Sequence, residues 1–364
     1  MSPLPGERVS PEGNKGNEVF VLFVAFCVVL LCSCAHLKST APDTPLGRYE
    51  FTQPQMGVAF RMVLYAPNEA KAESAAAAAF NRIKELNAIM SDYETDSELS
   101  RLSRTSGQGI EVALSPDLFA ILERSQALAQ RSGGAFDVTV GPCVNLWRRA
   151  RRVRQSPDAT RLAEARKAVG YRNLQLSPKT RTARLLVPGM RLDLGGIAKG
   201  YAVDEALKVL RVQGVERALV GGDGDIAVSE PPPGKTGWRI GIATLDVPNA
   251  PTNRYVLLQH AAISTSGDLS QRLEIGGVRY SHIVDPHTGI GMTDHSLVTV
   301  IARDSTTADS LATAVSVLGP EKGLKLIEKT PGAAARIVRR PGEKIESYES
   351  AGFKKFAELR AAGE

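Results

Sequence analysis

Residues 191–210 read RLDLGGIAKGYAVDEALKVL, and this stretch predicts a change from strand to helix at a pair of glycines. Apolar and polar side chains alternate over 191–194, which predicts a short strand. Apolar side chains then recur at three- and four-residue intervals over 196–212, which predicts a helix. The N–H groups of a helix start favour a phosphate, and Lys199 adds a positive charge. The alternative is a plain helix start that packs against a sheet.

On both sides of this stretch, strands come in groups that are separated by helices. Helices are predicted over 70–90, 116–131, 158–169, 306–318 and 321–329. Strands are predicted at 58–65, 173–176, 183–187, 217–220, 225–228, 238–243, 255–259, 272–275, 297–302 and, as the closing strand, 335–338. This order predicts an α+β fold in a single large body rather than regular βαβ alternation.

Composition excludes several classes of protein. The chain has 364 residues, 43% hydrophobic and 23% charged, which is usual for a globular protein and unlike a disordered or multi-span membrane protein. A net charge of +6 and 5% aromatic residues do not indicate a nucleic-acid binder. Four cysteines are too few for a disulfide framework in a chain of this length. We expect Cys143 to be buried as a small apolar residue.

The N-terminus carries an export signal. Val19–Leu31 is an uncharged apolar run of 13 residues, shorter than the roughly 20 that span a bilayer but typical of a signal peptide. The run ends in LCSC at 31–34, which resembles a bacterial lipobox with Cys34 as the lipidated residue. The alternative is a short membrane anchor that is not cleaved. We therefore predict a lipoprotein signal peptide at 1–33, a Ser-, Thr- and Pro-containing tether at 34–47, a folded body at 48–345 and a C-terminal tail at 346–364.

Two further patterns indicate chemistry. Asp309 and Thr313 are four residues apart in a predicted helix and share one face. A carboxylate and a hydroxyl are hard oxygen ligands for Mg²⁺, although a helix-start Asp and a Thr bonded to its own helix have the same spacing. His282 follows a predicted strand in YSHIVDPHTG at 280–289. An imidazole accepts a proton near neutrality, so His282 is either a general base or a structural residue.

Six separated motifs follow one another over roughly residues 50–340. In chain order they are MSDYETDSELSRLS at 90–103, GGAFDVTVGPCVNLW at 133–147, DLGGIAKGYAVDEAL at 193–207, TSGD at 265–268, YSHIVDPHTG at 280–289 and ADSLATAVSVLGPEKGL at 308–324. Together they resemble the ApbE family of FAD:protein FMN transferases, whose members are often exported lipoproteins. The resemblance implies an α+β catalytic body of mixed sheets and helices that follows the signal peptide and tether.

The resemblance also implies a role for individual residues. Those matching the FAD contacts of the family are Met56, Tyr93, Ala135, Phe136, Asp137, Asp193, Lys199 and Ile283. Those matching its Mg²⁺ ligands are the carbonyl of Gly196 and the side chains of Asp309 and Thr313. His282 matches the proposed base, so His282 and Asp309 are the predicted catalytic residues.

The implied reaction is Mg²⁺-dependent transfer of FMN from FAD to a Thr or Ser hydroxyl of an exported acceptor protein, with release of AMP. The family's acceptors carry Asp-x-(Ser/Thr)-Gly-Ala-(Ser/Thr) and are usually respiratory redox subunits; this chain lacks the motif, so self-modification is not expected. We expect no nucleic-acid partner, a membrane contact through Cys34 and an extracytoplasmic location, which is the periplasm in a Gram-negative cell. The alternatives are an Mg²⁺-dependent FAD pyrophosphatase and a non-catalytic flavin-binding lipoprotein.

Two stretches depart from the family pattern. GGDGD at 221–225 has an extra carboxylate, which either alters metal affinity or caps a turn. RRARRVR at 148–154 is strongly basic where many relatives are rich in Gly and Phe. This basic run either binds an acidic partner or anionic lipid head groups, or forms a solvated helix face.

Overall fold

The computed structural model describes residues 45–245, 254–267, 272–342, 344–356 and 358–360. Contacts divide the chain into two units, Met1–Pro45 and Leu46–Glu364. The predicted signal peptide, Cys34 and almost all of the predicted tether lie outside the described residues. Within the described ranges no helix is both long enough and apolar enough to cross a membrane.

Seven α-helices lie in the described part of the chain, together with short 3₁₀ turns at Tyr171–Asn173 and Phe353–Lys355. Their bounds are α1 (Glu69–Met90), α2 (Glu98–Ser103), α3 (Pro116–Arg131), α4 (Gly141–Val153), α5 (Ala159–Lys167), α6 (Ala198–Val212) and α7 (Ser305–Glu328). Helix α7 is interrupted at Gly319, whose φ is 72° and which precedes Pro320. The two consecutive helices predicted for this region therefore correspond to the two halves of α7.

The strands form one large sheet and three small ones. Their bounds are β1 (Gly47–Gln55), β2 (Val58–Ala66), β3 (Val112–Ala113), β4 (Leu174–Ser177), β5 (Thr182–Leu185), β6 (Arg217–Gly222), β7 (Asp225–Val228), β8 (Trp238–Gly241), β9 (Arg254–Leu258), β10 (Ala261–Gly267), β11 (Arg272–Ile275), β12 (Val278–Ser281), β13 (Ser296–Ala302), β14 (Ala334–Arg339), β15 (Glu346–Glu349) and β16 (Glu358–Arg360). The large sheet is antiparallel with the order β1-β2-β6-β7-β10-β13-β14-β15. The smaller ones are β16-β9-β8, β3-β5-β4 and the hairpin β11-β12. This arrangement confirms the predicted α+β class.

The large sheet is covered on both faces, as the alternation along β2 shows. Phe60, Met62 and Leu64 are fully buried in a core that also contains α1, α6 and α7. Val63, which points to the other face, packs in a second core with Trp238 and other residues of the β16-β9-β8 layer. Successive side chains of a strand point to opposite faces, so β2 contributes to both cores. The helices α6 and α7 therefore pack on one face of the sheet, and they carry the predicted site residues Lys199, Asp309 and Thr313.

The strand predicted at 191–194 is wrong. Within the described residues this stretch makes one isolated parallel bridge, between Arg191 and Val140. The Leu192 N–H donates to the Ser103 hydroxyl at 3.1 Å, and the Asp193 N–H donates to the Val138 carbonyl at 2.8 Å. Because these backbone N–H groups are bonded to a side chain and to a loop carbonyl, residues 191–194 do not pair with a neighbouring strand despite their alternating pattern.

The end of the chain also differs from the sequence analysis, which closes the body at residue 345. Strand β15 pairs with β14 in the large sheet, so β14 is not the closing strand. Phe353 is 1% exposed and belongs to the second core, and β16 pairs with β9. The described part of 346–364 therefore belongs to the folded body because its strands extend two sheets.

Candidate active site

One cavity of about 700 Å³ collects residues from distant parts of the chain. All twelve residues that the sequence analysis assigned to the site line it: Met56, Tyr93, Ala135, Phe136, Asp137, Asp193, Gly196, Lys199, His282, Ile283, Asp309 and Thr313. The fold thus brings these residues together, while the role of each one stays a prediction.

The predicted metal ligands lie where the start of α6 meets α7. A Cβ atom added to Gly196 would be 2.9 Å from the Thr313 hydroxyl oxygen. The N–H of Gly200 donates to Asp309 Oδ2 at 3.0 Å, and Asp309 is 3% exposed. A Cβ at Gly200 would be 2.4 Å from the Ser305 carbonyl oxygen, so only glycine allows this approach without a shift of the backbone. The predicted carbonyl ligand therefore comes from the turn before α6, and the carboxylate and hydroxyl come from α7, which approaches the first turn of α6 closely at Gly200.

Asp204 fixes the start of α7 relative to α6. Its carboxylate accepts hydrogen bonds from the N–H groups of Ser305 and Thr306, at 2.8 and 2.9 Å. Asp304, the N-cap residue of α7, accepts from the Thr307 N–H at 2.9 Å. Free N–H groups at a helix start need such acceptors. Asp309 and Thr313, one and two turns further along, are thereby held in register with Gly196.

Lys199 is held at the cavity wall by a buried carboxylate that the sequence analysis did not assign to the site. Its Nζ donates to Asp225 Oδ2 at 2.7 Å, and Asp225 Oδ1 accepts from the Ser264 hydroxyl at 2.6 Å. Burial opposes the charge of Lys199, but Asp225 and Asp309 outweigh it and hold the pKa of the ammonium above its usual range. Lys199 is therefore positively charged at any physiological pH.

The other carboxylate of the GGDGD stretch, Asp223, also faces Lys199. Asp223 is half exposed, has a φ of 58° and lies 3.6 Å from the Lys199 ammonium. Asp and Asn tolerate this left-handed conformation better than most residues with a Cβ. Asp223 is thus a turn residue that adds a weak second negative charge beside the lysine.

The charge balance around Asp309 fits a bound divalent cation. Burial, followed by the negative charge of Asp225, raises the pKa of the Asp309 carboxyl well above its usual range, although Lys199 and the Gly200 N–H act against the shift. A cation beside this carboxylate would offset the cost of burying its charge. No group of three His, Cys, Asp or Glu side chains in the described ranges is arranged for a metal. The donor set is a single carboxylate with a neutral hydroxyl and carbonyl, which suits Mg²⁺ that also binds substrate phosphates.

Residues 135–137 form a rigid loop on the cavity wall after α3. Ala135 and Phe136 are almost fully buried. Asp137 Oδ1 accepts from both the N–H and the hydroxyl of Thr139, at 2.8 and 2.7 Å. Burial raises the pKa of Asp137 and the Thr139 hydrogen bonds oppose this shift. The loop conformation is therefore fixed by its own hydrogen bonds.

His282 is presented by the β11-β12 hairpin, which rests on α4. The residue is half-buried and directly follows β12. Ser281 anchors the turn, because its N–H donates to the Met292 carbonyl and its hydroxyl accepts from the Ile283 N–H. Tyr280 packs on Trp147 of α4, with ring centroids 4.8 Å apart. The same helix buries Cys143, which is 0% exposed, as the sequence analysis expected.

The basic run divides into two parts. Arg148 and Arg151 line the cavity, whereas Arg149, Arg152 and Arg154 are exposed. The prediction of a solvated helix face therefore applies to the three exposed arginines. Arg148 forms ion pairs with Asp92 and Asp193, and its Cζ lies 4.2 Å from the centre of the Tyr93 ring. The sequence analysis did not assign Arg148 or Asp92 to the site, since periodicity does not show which way a helical arginine turns.

Known proteins resemble this chain over most of its length. The model of the ApbE family matches residues 56–337. The FAD:protein FMN transferase of Vibrio cholerae is 32% identical over 321 residues, covering 86% of this chain and 94% of the relative. That of Haemophilus influenzae is 34% identical over 285 residues, covering 76% and 82%. The crystal structure of Pseudomonas stutzeri flavinyl transferase ApbE in its apo form is similar at a TM-score of 0.74 and 30% identity, covering 85% of this chain and 97% of that one.

Proposed function

Because the chain belongs to the ApbE family and is an enzyme that transfers FMN from FAD to an acceptor protein, we propose that its cavity binds FAD together with Mg²⁺. The observation that carries this proposal is the meeting of all twelve predicted site residues in one cavity. These residues come from separate segments between Met56 and Thr313, so their convergence is a property of the fold.

The Gly196 carbonyl, the Asp309 carboxylate and the Thr313 hydroxyl hold the metal ion in this proposal. A bound Mg²⁺ would supply positive charge that offsets the negative charge of the phosphate oxygens. Lys199 adds a fixed positive charge, since Asp225 keeps its ammonium in place. The rest of the cavity is lined by Met56, Tyr93, Ala135, Phe136, Asp137, Asp193 and Ile283. These are the residues that would contact FAD in this proposal.

His282 serves as the general base. The hydroxyl oxygen of an acceptor Thr or Ser attacks the phosphorus of the FMN half and forms a new P–O bond. The bond from this phosphorus to the bridging oxygen breaks, and AMP leaves with that oxygen. His282 accepts the hydroxyl proton during the attack, because a neutral hydroxyl is a weak nucleophile.

The N-terminus supports an extracytoplasmic location in this proposal. Lipidated Cys34 tethers the enzyme to a membrane, which is reached by exported acceptors such as respiratory redox subunits. Replacement of Cys34 by Ala should leave unprocessed precursor, and Cys32→Ala should be processed normally. Normal lipidation of both variants would contradict the assignment.

One incubation tests the reaction itself. The enzyme is mixed with FAD, Mg²⁺ and a purified acceptor domain, and covalent flavin fluorescence and released nucleotide are measured. We expect covalent FMN on the acceptor, an equal amount of AMP, and no reaction when EDTA removes the metal. Free FMN and AMP without a modified acceptor would indicate a pyrophosphatase instead, and unchanged FAD would indicate a flavin-binding protein.

A further inference from the structure

We infer that Arg148 is a positioning residue for FAD, which holds the Tyr93 ring and the Asp193 carboxylate in their binding arrangement. The inference rests on the proposed function, in which Tyr93 and Asp193 contact FAD. It concerns a residue of the basic run, whose role the family resemblance leaves open.

Arg148 lies between two buried carboxylates. Its Nη2 donates to Asp193 Oδ2 at 2.8 Å, while its Nη1 donates to Asp92 Oδ2. Asp92 and Asp193 are 7% and 9% exposed, and the Arg148 side chain is 15% exposed. A planar guanidinium can satisfy two carboxylates at once, which a lysine ammonium cannot do with the same fixed geometry.

Loss of Arg148 would leave two like charges close together in the cavity wall. Burial and the charge of Asp193 already raise the pKa of the Asp92 carboxyl, and Arg148 is the main group that opposes this shift. The positive charge of Arg191 also opposes the rise in the pKa of Asp92. Arg191 is close to Asp92, because its Nη2 donates to the Asp92 backbone carbonyl at 2.7 Å. Uncompensated carboxylates would also repel the negatively charged diphosphate of FAD.

Arg148 also supports Tyr93, which has little packing of its own. The tyrosine is 76% exposed although it lines the cavity, and the Arg148 guanidinium lies over its ring at 4.2 Å. A cation on one face of an aromatic ring restricts the ring and leaves its other face for a ligand. The structure thus assigns Arg148 to FAD binding rather than to the transfer step, because none of these contacts reaches Asp309 or His282. Asp193 Oδ1 also accepts from the Gly195 N–H at 2.8 Å, a contact that shapes the turn beside Gly196 and not a reacting group.

The matched test compares Arg148→Gln with Arg149→Gln. Both variants remove one positive charge from α4, but Arg149 is exposed and does not line the cavity. For Arg148→Gln we expect KM for FAD and the dissociation constant of FAD to rise about tenfold, with kcat changed less than about threefold. Arg149→Gln should match the wild type in all three quantities.

Two further variants separate charge from geometry. Arg148→Lys keeps the charge without the planar fork, so its FAD affinity should lie between wild type and Arg148→Gln. In a Tyr93→Ala background, Arg148→Gln should weaken FAD binding by less than it does alone, because part of its effect acts through the ring.

The outcomes distinguish this inference from the proposed function. If the wild type neither binds FAD nor modifies an acceptor, both fail. If the wild type is active and Arg148→Gln resembles Arg149→Gln in FAD affinity, only the inference about Arg148 is overturned. A fall in kcat at unchanged KM would also overturn it. If Arg148→Gln unfolds, the same comparison of KM and kcat is made with Arg148→Lys.

Discussion

Two walls of the cavity are held in different ways. The helix-pair wall consists of residues 196–200 and 309–313 and is held by buried backbone contacts. The arginine wall consists of Asp92, Tyr93, Arg148 and Asp193 and is held by ion pairs and by the contact of a guanidinium with an exposed ring. In the helix-pair wall, Gly200 touches the Ser305 carbonyl and donates to Asp309. In the arginine wall, one guanidinium links the other three side chains.

The difference shows that the helix-pair wall is held more rigidly than the arginine wall. Phosphoryl transfer depends on exact placement of charge, and small displacements of the reacting groups lower the rate strongly. Backbone contacts between helices supply that placement. Binding of a flavin ring tolerates more adjustment of the surrounding side chains. In the proposed site, an ion-paired arginine that lies over a tyrosine ring is sufficient for that purpose. We therefore expect variants of the helix-pair wall to change kcat and those of the arginine wall to change affinity for FAD.

The largest effect should follow Asp309→Ala. This change removes the only anionic ligand in the proposed metal site, so transfer should fall by roughly a thousandfold or more. Thr313→Ala should lose less, because water can replace a neutral ligand. Initial rates at saturating Mg²⁺ test both, and near-normal turnover of Asp309→Ala would refute the metal site.

His282→Ala should have the next largest effect, on turnover rather than on affinity. Removal of a general base costs about a hundred- to ten-thousandfold, and higher pH should restore part of the activity. The measurement is the initial rate and the FAD dissociation constant. His282→Gln is the matched control, since it keeps a hydrogen-bonding side chain. A fully active Gln variant would mean that His282 is structural.

Mg²⁺ affinity should fall as the pH is lowered. Burial and Asp225 raise the pKa of Asp309 in the metal-free protein, so at lower pH its carboxyl holds a proton that the metal must displace. Displacement of one proton predicts a loss of roughly tenfold in affinity per pH unit below that pKa. Calorimetric titration with Mg²⁺ between about pH 6 and pH 8 measures this dependence. An affinity that does not change with pH would show that Asp309 is already ionised in the free enzyme.

The smallest effects should come from two glycines of the helix-pair wall. In Gly200→Ala the new Cβ meets the Ser305 carbonyl at 2.4 Å, so backbone must shift and we expect a loss of about 1–3 kcal/mol in the free energy of unfolding. In Gly196→Ala the Cβ meets the end of the Thr313 side chain at 2.9 Å, which can rotate. That variant should lose less than about 1 kcal/mol. Urea unfolding compares the two, and a loss for Gly200→Ala as small as the one expected for Gly196→Ala would show that the α6–α7 contact is not tight.

Local patterns predicted several elements correctly because their signals lie within a few residues. Helix α3 runs over Pro116–Arg131 as predicted, since Ser115 caps its first turn and Gly133 and Gly134 follow its end with positive φ. The shared face of Asp309 and Thr313 follows from helix periodicity alone. Strand β10 carries no comparable signal and was not predicted, helix α4 was anticipated only as one reading of the basic run at 148–154, and β15 was assigned to a tail.

The sequence by itself determined the fold class and, through six motifs that resemble the ApbE family, the family. The twelve candidate site residues follow from that resemblance, and their roles stay predictions. Only the tertiary structure decided which partners these residues have. Arg148 turns toward Asp92 and Asp193, Asp225 holds Lys199, and the alternating residues 191–194 find no ladder. These contacts join positions that are tens of residues apart in the chain. Spacing within a segment carries no information about them, because they depend on how helices and sheets pack around the cavity.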